Sequence, residues 1–123
     1  MLILIAGPYR SGTGDDPVRM AENLKRLEEP SYALFKAGHV PMSGEWVALP
    51  VGAAAGGRGV GDDLYEEIFH PVAGRLLAIC EGVLRLPGAS KGADNDVVLA
   101  RKRGIPVWFN LEEVPGIIGT ERQ

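Results

Sequence analysis

The stretch from Gly82 to Phe109 constrains the fold of this chain more than any other. It begins with a short apolar run followed at once by turn residues, as in a buried parallel strand. Val97, Val98 and Ala100 then give a helix an apolar face, and Gly104 ends this helix before a second strand. The pattern predicts a strand–helix–strand unit close to the shortest that two parallel strands allow.

Two aspartates lie at the predicted start of this helix. We expect Asp94 to be the N-cap and Asp96 to lie in the first turn. Because backbone N–H groups are unpaired there, a carboxylate in this turn stays ionised, as a nucleophile or general base requires. The pattern also fits an aspartate that only complements the helix dipole, and this stretch alone leaves both interpretations open.

Length and composition bound the class of protein. The 123 residues suffice for one core, and we treat residues 1–123 as a single domain. Apolar residues make up 46% and charged residues 24% of the chain, as in globular proteins. The net charge of -3 provides no basic excess to neutralise phosphates, which argues against nucleic acid as a partner. The N-terminal apolar run is too short to span a membrane.

Cysteine and histidine are scarce. The lone Cys80 excludes an internal disulfide and indicates a reducing, cytoplasmic compartment. The chain's 2 histidines and 1 cysteine give no metal-ligand spacing, so we expect no metal and no cofactor.

A glycine-rich loop follows the first apolar run of the chain. Leu2–Ala6 predicts a central strand, and Gly7–Gly14 comes directly after it. Backbone N–H groups can approach an anion closely where side chains are absent, and Arg10 could grip a phosphate with two hydrogen bonds. The spacing matches neither the Walker loop nor the dinucleotide fingerprint, and a solvated turn explains the loop equally well.

The next elements follow from caps and breakers. Asp16 caps a helix that begins at Pro17 and breaks near Pro30. His39–Met42 predicts a second strand at a sheet edge, because its proline cannot donate a hydrogen bond. This strand is followed by an aromatic–carboxylate pair.

Glu45 and Trp46 form this pair and could hydrogen-bond and stack on a heterocycle, or Trp46 could pack on the core. Val51–Gly61 is mostly glycine and alanine, which predicts a mobile loop that is either a lid or plainly disordered. A helix that begins at the two aspartates after this loop should break or kink at Pro71. Residues 111–123 predict a loosely structured tail that could dock on another subunit.

The alternation of strands and helices predicts a small α/β domain. We expect a flavodoxin-like, Rossmann-like three-layer sandwich with a four- or five-stranded, mostly parallel sheet. Leu2–Ala6 and Val83–Leu86 should be neighbours at its centre. The loops Gly7–Gly14 and Pro87–Gly92 then meet at the switch point, where such folds bind ligands.

These stretches resemble the nucleoside 2-deoxyribosyltransferase superfamily, particularly its short deoxyribosyltransferase-like branch. The similar segments are Ile5–Arg10, Gly38–Pro41, Ser90–Ala93 with Asp96 and Ala100, and Gly104–Val107. Together they reach over most of residues 2–109. The resemblance implies a flavodoxin-like fold, association into a homo-oligomer, and cleavage or exchange of the N-glycosidic bond of a nucleotide or nucleoside.

The resemblance also implies roles for particular residues. Asp96 stands where the family has the glutamate that attacks the anomeric carbon and forms a covalent glycosyl ester. Members that act on nucleotides grip the 5′-phosphate with the first loop and with a serine and a glycine of the third. With the pair after the second strand, the expected substrate-binding residues are Gly7, Tyr9, Arg10, Ser11, Gly12, Glu45, Trp46, Ser90 and Gly92.

Two positions depart from the family's pattern. Asp96 is one methylene shorter than glutamate, and a displacement of about 1 Å can be costly in rate. Ala73 stands where many members have a supporting aspartate, so that role would fall to another carboxylate: Glu45, Asp63, Asp94 or Glu81. The departures leave a second function open, a catalytically silent module that binds a nucleotide or phosphosugar. A purely structural domain would leave the two polar loops unexplained.

Overall fold

The computed structural model describes residues 1–57 and 63–117. In these ranges four parallel strands form one sheet, and helices cover it, as expected for an α/β fold. The strands are β1 (Leu2–Ala6), β2 (Val40–Ser43), β3 (Gly82–Arg85) and β4 (Val107–Trp108). The helices are α1 (Pro17–Glu28), α2 (Ser31–Lys36), α3 (Gly44–Ala54), α4 (Asp63–Ile79) and α5 (Lys91–Arg103). None of these helices has the length and apolar character that crossing a membrane requires.

The sheet has the order β2-β1-β3-β4, so the two strands predicted at its centre are neighbours. β1 and β3 are parallel, with Ala6 opposite Arg85 at their carboxyl ends. The loops that follow them touch: a Cβ on Gly88, whose φ is +112°, would lie 2.7 Å from Cγ of Pro8. The predicted convergence of these two loops is therefore confirmed.

Two apolar layers hold the sheet between helices. Leu4 and Ala6 of β1 pack in one layer with side chains from α3, α4 and α5. Ile3 and Ile5 pack on the opposite face with side chains from α1 and α2. Successive strand residues point to opposite faces, so a continuously apolar strand indicates a sheet covered on both sides. The three-layer arrangement follows.

The N-terminal helices begin and end where the sequence predicts. The Asp16 side chain caps α1 by accepting a hydrogen bond from the N–H of Val18, and Pro17 is the first helical residue. The helical chain breaks at Pro30, between α1 and α2. Gly38 follows α2 with a φ of +92°, a conformation that glycine adopts without strain.

The last helix begins about one turn earlier than predicted. Its N-cap is Ser90, whose hydroxyl accepts a hydrogen bond of 3.1 Å from the N–H of Ala93. Asp94 is not the N-cap because it lies inside the helix, where its side chain pairs with Arg85. Asp96 consequently lies in the second turn of α5, and its predicted place in the first turn was wrong.

The structure bears on two predictions for the middle of the chain, and the first of them was wrong. Val51–Ala54 is the last turn of α3 rather than part of a loop, and Gly52 is buried there. Small side chains allow this turn to pack closely, which composition alone does not reveal. Residues 58–61 of the predicted loop lie outside the described residues. Pro71 lies inside α4, which continues past it without a break, so of the two predicted outcomes only the break is excluded.

Residues 111–117 are packed, not loose as predicted. Val114 is buried, and Leu111 and Ile117 pack on the apolar layer shared with α1 and α2. The spacing of three residues between these side chains was the signal that the prediction overlooked. Residues 118–123 of the predicted tail lie outside the described residues.

Candidate functional site

A cleft of about 350 Å³ opens at the carboxyl ends of β1 and β3, on the face covered by α3, α4 and α5. Each of these three helices contributes polar side chains to its lining. The cleft brings together most of the predicted site residues: Gly7, Tyr9, Arg10, Glu45, Ser90, Gly92 and Asp96. It is therefore the place where the predicted chemistry could occur.

Three predicted site residues lie elsewhere. Ser11 and Gly12 line a second cavity, and Trp46 is not among the residues of the cleft. Neighbouring residues on a helix point about 100° apart, so Glu45 can face the cleft while Trp46 faces away. Residues of the first loop thus line both cavities: Gly7, Tyr9 and Arg10 line the cleft, and Pro8, Ser11 and Gly12 line the other.

The second cavity is larger, about 800 Å³, and lies next to α1. Its lining includes three prolines and three leucines, and neither Asp96 nor Glu45 lines it. We place the candidate site in the smaller cleft, because carboxyl groups with shifted pKa values converge there and such groups concentrate at functional sites.

The carboxyl groups of Asp96 and Glu45 both line the cleft, and the charge of Glu45 acts on Asp96. Burial and the nearby Glu45 carboxylate raise the pKa of Asp96 to about 7, while the positive charge of Arg85 acts in the opposite direction. Burial also raises the pKa of Glu45, against a hydrogen bond of 2.8 Å from Ser43 Oγ that favours the ionised form. Near neutral pH, the two carboxyl groups together therefore still hold one proton.

The expectation that helix position keeps Asp96 ionised was wrong. From the second turn of α5 its carboxyl group is beyond the unpaired N–H groups at the helix start, which the Ser90 cap serves instead. The group is half-buried and next to a second acid, and both factors favour its neutral form.

Of the four carboxylates considered as a supporting group, Glu45 is the one that lines the cleft. Glu81 accepts a hydrogen bond of 2.7 Å at the amino end of β1, at the opposite edge of the sheet. Asp94 is paired with an arginine, and Asp63 is the first residue of α4 and does not line the cleft. Ala73, where the resemblance places a supporting aspartate, does line it. Glu45 occupies the same cavity from another helix.

Arg10 is already engaged by acidic side chains. Its guanidinium makes two hydrogen bonds to Asp15, of 2.6 and 3.0 Å, and lies 3.3 Å from Glu66 of α4. The hydrogen bond between them raises the pKa of Arg10 and lowers that of Asp15. A phosphate would have to compete with these carboxylates, so the phosphate grip of Arg10 stays a prediction.

Sequence reasoning missed several polar residues of this region, among them Asn95 of α5, which lines the cleft. Glu66 and His70 line the cleft from α4, and their spacing of four residues places them on one helix face. Arg85 is buried at the end of β3 and does not itself line the cleft. Its signal in the sequence is a charged residue inside an otherwise apolar strand. In the parts of the chain that the structure describes, no His, Cys, Asp and Glu side chains cluster in a way that could hold a metal ion.

Asp96 should make the stability of the fold depend on pH. Its pKa is raised in the folded protein to about 7 from an ordinary 3.8, so the folded state holds a proton that the unfolded chain has lost between these values. Stability then falls as pH rises through this window and is level above it. We therefore compare the free energies of unfolding of Asp96→Asn and the wild type. Their difference should move in favour of the variant by about 1–2 kcal/mol from pH 5 to pH 8, after allowance for the partial exposure of the group.

Urea unfolding of both proteins at the two pH values measures this gain. A stability difference that is the same at both pH values would contradict the raised pKa of Asp96.

No protein-family model, curated protein or solved structure matches this chain. The fold and the carboxyl pair in the cleft are therefore the observations that bear on function, and the resemblance of the short motifs stays a prediction beside them.

Proposed function

We propose that this protein cleaves or transfers at the N-glycosidic bond of a nucleotide or nucleoside, with Asp96 as the carboxylate nucleophile. The observation that carries the proposal is the pair of Asp96 and Glu45, which keeps one proton near neutral pH. Retaining glycosidases need such a pair, one carboxyl group ionised and the other protonated. The motif resemblance supports the same reaction at the same residue.

In the resting cleft the proton lies mainly on Asp96. The reactive form is the less populated one, in which Asp96 is ionised and Glu45 holds the proton. A carboxylate oxygen of Asp96 attacks the anomeric carbon, and the electron pair of the breaking C–N bond goes to the base. Glu45 gives its proton to the base, which leaves neutral. Glu45 then accepts a proton from water, or from the N–H of a second base, as this group attacks the anomeric carbon and releases Asp96.

The charges of the cleft bear on the choice between a nucleotide and a nucleoside. A 5′-phosphate would be attracted by the start of α5, where Ser90 and Gly92 line the cleft. It would also meet the carboxylates that hold Arg10. A nucleoside avoids this competition, so both substrate classes belong in the test.

A catalytically silent binding module remains the alternative, supported by the departures at Asp96 and Ala73. The carboxyl pair favours the enzyme. Placing two acids in one half-buried cleft costs stability, and a module that only binds its ligand has no need of a shared proton.

Base release from a panel of nucleosides and their 5′-monophosphates tests the proposal, with chromatography to detect the free base. We expect release from at least one member of the panel. Adding a second base distinguishes transfer, which forms a new nucleoside, from hydrolysis. Calorimetry on the same panel provides the contrary outcome: a ligand that binds and never loses its base identifies the binding module.

A further inference from the structure

The larger cavity, beside α1, has the size and the walls of a small-molecule site. Its volume of about 800 Å³ is within the range of ligand pockets, which are mostly apolar and contain a few polar groups. The carboxyl pair of the proposed reaction lies outside it, so that reaction does not use this cavity. Six prolines and leucines form its apolar lining: Pro8, Leu27, Pro30, Leu86, Pro87 and Leu111.

A short chain of hydrogen bonds fixes one positive charge at the wall of this cavity. Nη1 of Arg26 donates to Oδ1 of Asn23 at 2.6 Å, and Nδ2 of Asn23 donates to the carbonyl of Tyr9 at 2.8 Å. Arg26 and Asn23 both line the cavity. Within residues 1–57 and 63–117, no carboxylate forms an ion pair with Arg26. Its guanidinium is therefore held in place with further N–H donors to offer to a ligand.

The cavity has one acidic side chain, which is anchored less firmly than the arginine. Glu29 directly follows the last residue of α1 and is exposed. In the part of the chain that the structure describes, its carboxylate makes no hydrogen bond or ion pair. A carboxylate without a partner stays hydrated, whereas the fixed guanidinium of Arg26 is prepared to pair with an anion. The lining thus favours a ligand with a negative group beside Arg26.

Two residues of the glycine-rich first loop face the same cavity. Ser11 and Gly12 were predicted to bind an anion, and they line this cavity rather than the cleft. The Ser11 hydroxyl can donate a hydrogen bond, and Gly12 has no side chain to obstruct a ligand. The loop therefore adds polar contacts to a wall that is otherwise apolar.

We infer that this cavity is a second ligand site, which binds a small aromatic acid with its ring against the prolines and leucines and its acidic group on Arg26. An aromatic ring buries a large apolar area, and a guanidinium forms paired hydrogen bonds to a carboxylate or a sulfonate. The site uses neither Asp96 nor Glu45, so the inference goes beyond the proposed function and does not depend on it.

The fluorescent aromatic acid anilinonaphthalene sulfonate is the probe that tests the inference. We expect the full chain to bind one molecule saturably, with fluorescence and calorimetry giving the same affinity. Arg26→Gln should weaken this binding by about three- to tenfold, the scale of an exposed, charge-assisted contact. Arg19→Gln is the matched control: it removes the same charge from α1 at an exposed residue that does not line the cavity, and the affinity should not change.

The charge of Glu29 provides a test of opposite sign. Glu29→Gln should strengthen binding of the sulfonate by about twofold, because a repelling charge is removed. Glu22→Gln, at an exposed position of α1 outside the cavity, should have no effect. Residues that only packed against the ring would not act in opposite directions. If Glu29→Gln does not strengthen binding, the choice of an anionic ligand is wrong.

Filling the cavity shows where the probe binds. Ala89 is exposed and lines the cavity, so Ala89→Phe should occupy this space with a ring and weaken binding by more than about tenfold. Circular dichroism must show each variant folded, because this probe also binds loosely packed states. Unchanged affinity in folded Arg26→Gln or Ala89→Phe, or no saturable binding by the wild type, overturns the inference. None of these measurements depends on base release, so the proposed function can fail while this site stands, and the reverse.

Discussion

Asp96→Asn is expected to reduce base release by roughly a thousandfold or more, the scale on which loss of a nucleophile acts. The amide has nearly the shape of the carboxyl group but cannot attack the anomeric carbon. Substrate affinity should change by less than about threefold, because only the transition state needs the negative charge. The neutral form of Asp96 is already well populated at neutral pH, so asparagine resembles it in the resting protein.

Single-turnover base release and calorimetry measure the two halves of this prediction. Asp63→Asn is the matched control: it is the same change at an exposed aspartate that does not line the cleft, and it should leave base release unchanged. An Asp96→Asn protein that releases base at more than about a tenth of the wild-type rate would remove Asp96 from the mechanism.

The features of the fold that could be predicted are those that local sequence encodes. The unbroken apolar run of Leu2–Ala6 can be buried only in a sheet covered on both faces. Once β1 and β3 are parallel neighbours, their loops must meet at one edge, whatever the details of packing. The cap at Asp16 and the break at Pro30 depend on a few adjacent residues, and they too are found as predicted.

The features that could not be predicted depend on distant residues. The local sequence predicts Asp94 as the helix cap. In the fold the Asp94 side chain pairs with Arg85, and Ser90 caps the helix. The protonation of Asp96 is set first by its burial in the cleft and then by Glu45, which reaches the cleft from a different helix. Val51–Ala54 has the composition of a loop, and only its packing in α3 shows that it is helical. Each of these outcomes is a property of the folded chain and has no local signature.

Glu45→Gln is expected to slow the release of a natural base by about 10²–10⁴-fold, the usual contribution of a general acid. The reason is that the base leaves as a poor anion when no proton is supplied. A p-nitrophenyl riboside contains a leaving group that needs no proton, so the same variant should cleave it at close to the wild-type rate. Asp96→Asn should lose activity on both substrates, because cleavage requires the nucleophile whatever the leaving group.

The pH profiles give this prediction a second measurement. With a natural substrate, wild-type activity should fall as pH rises above about 7, where the pair loses the proton that Glu45 donates. In Glu45→Gln the neighbouring charge that raises the pKa of Asp96 is gone, so this pKa falls and cleavage of the aryl riboside should extend to lower pH. If Glu45→Gln loses activity on both substrates equally, and the acidic limb of its pH profile is unchanged, Glu45 only shapes the cleft. The shared proton would then have no part in breaking the glycosidic bond.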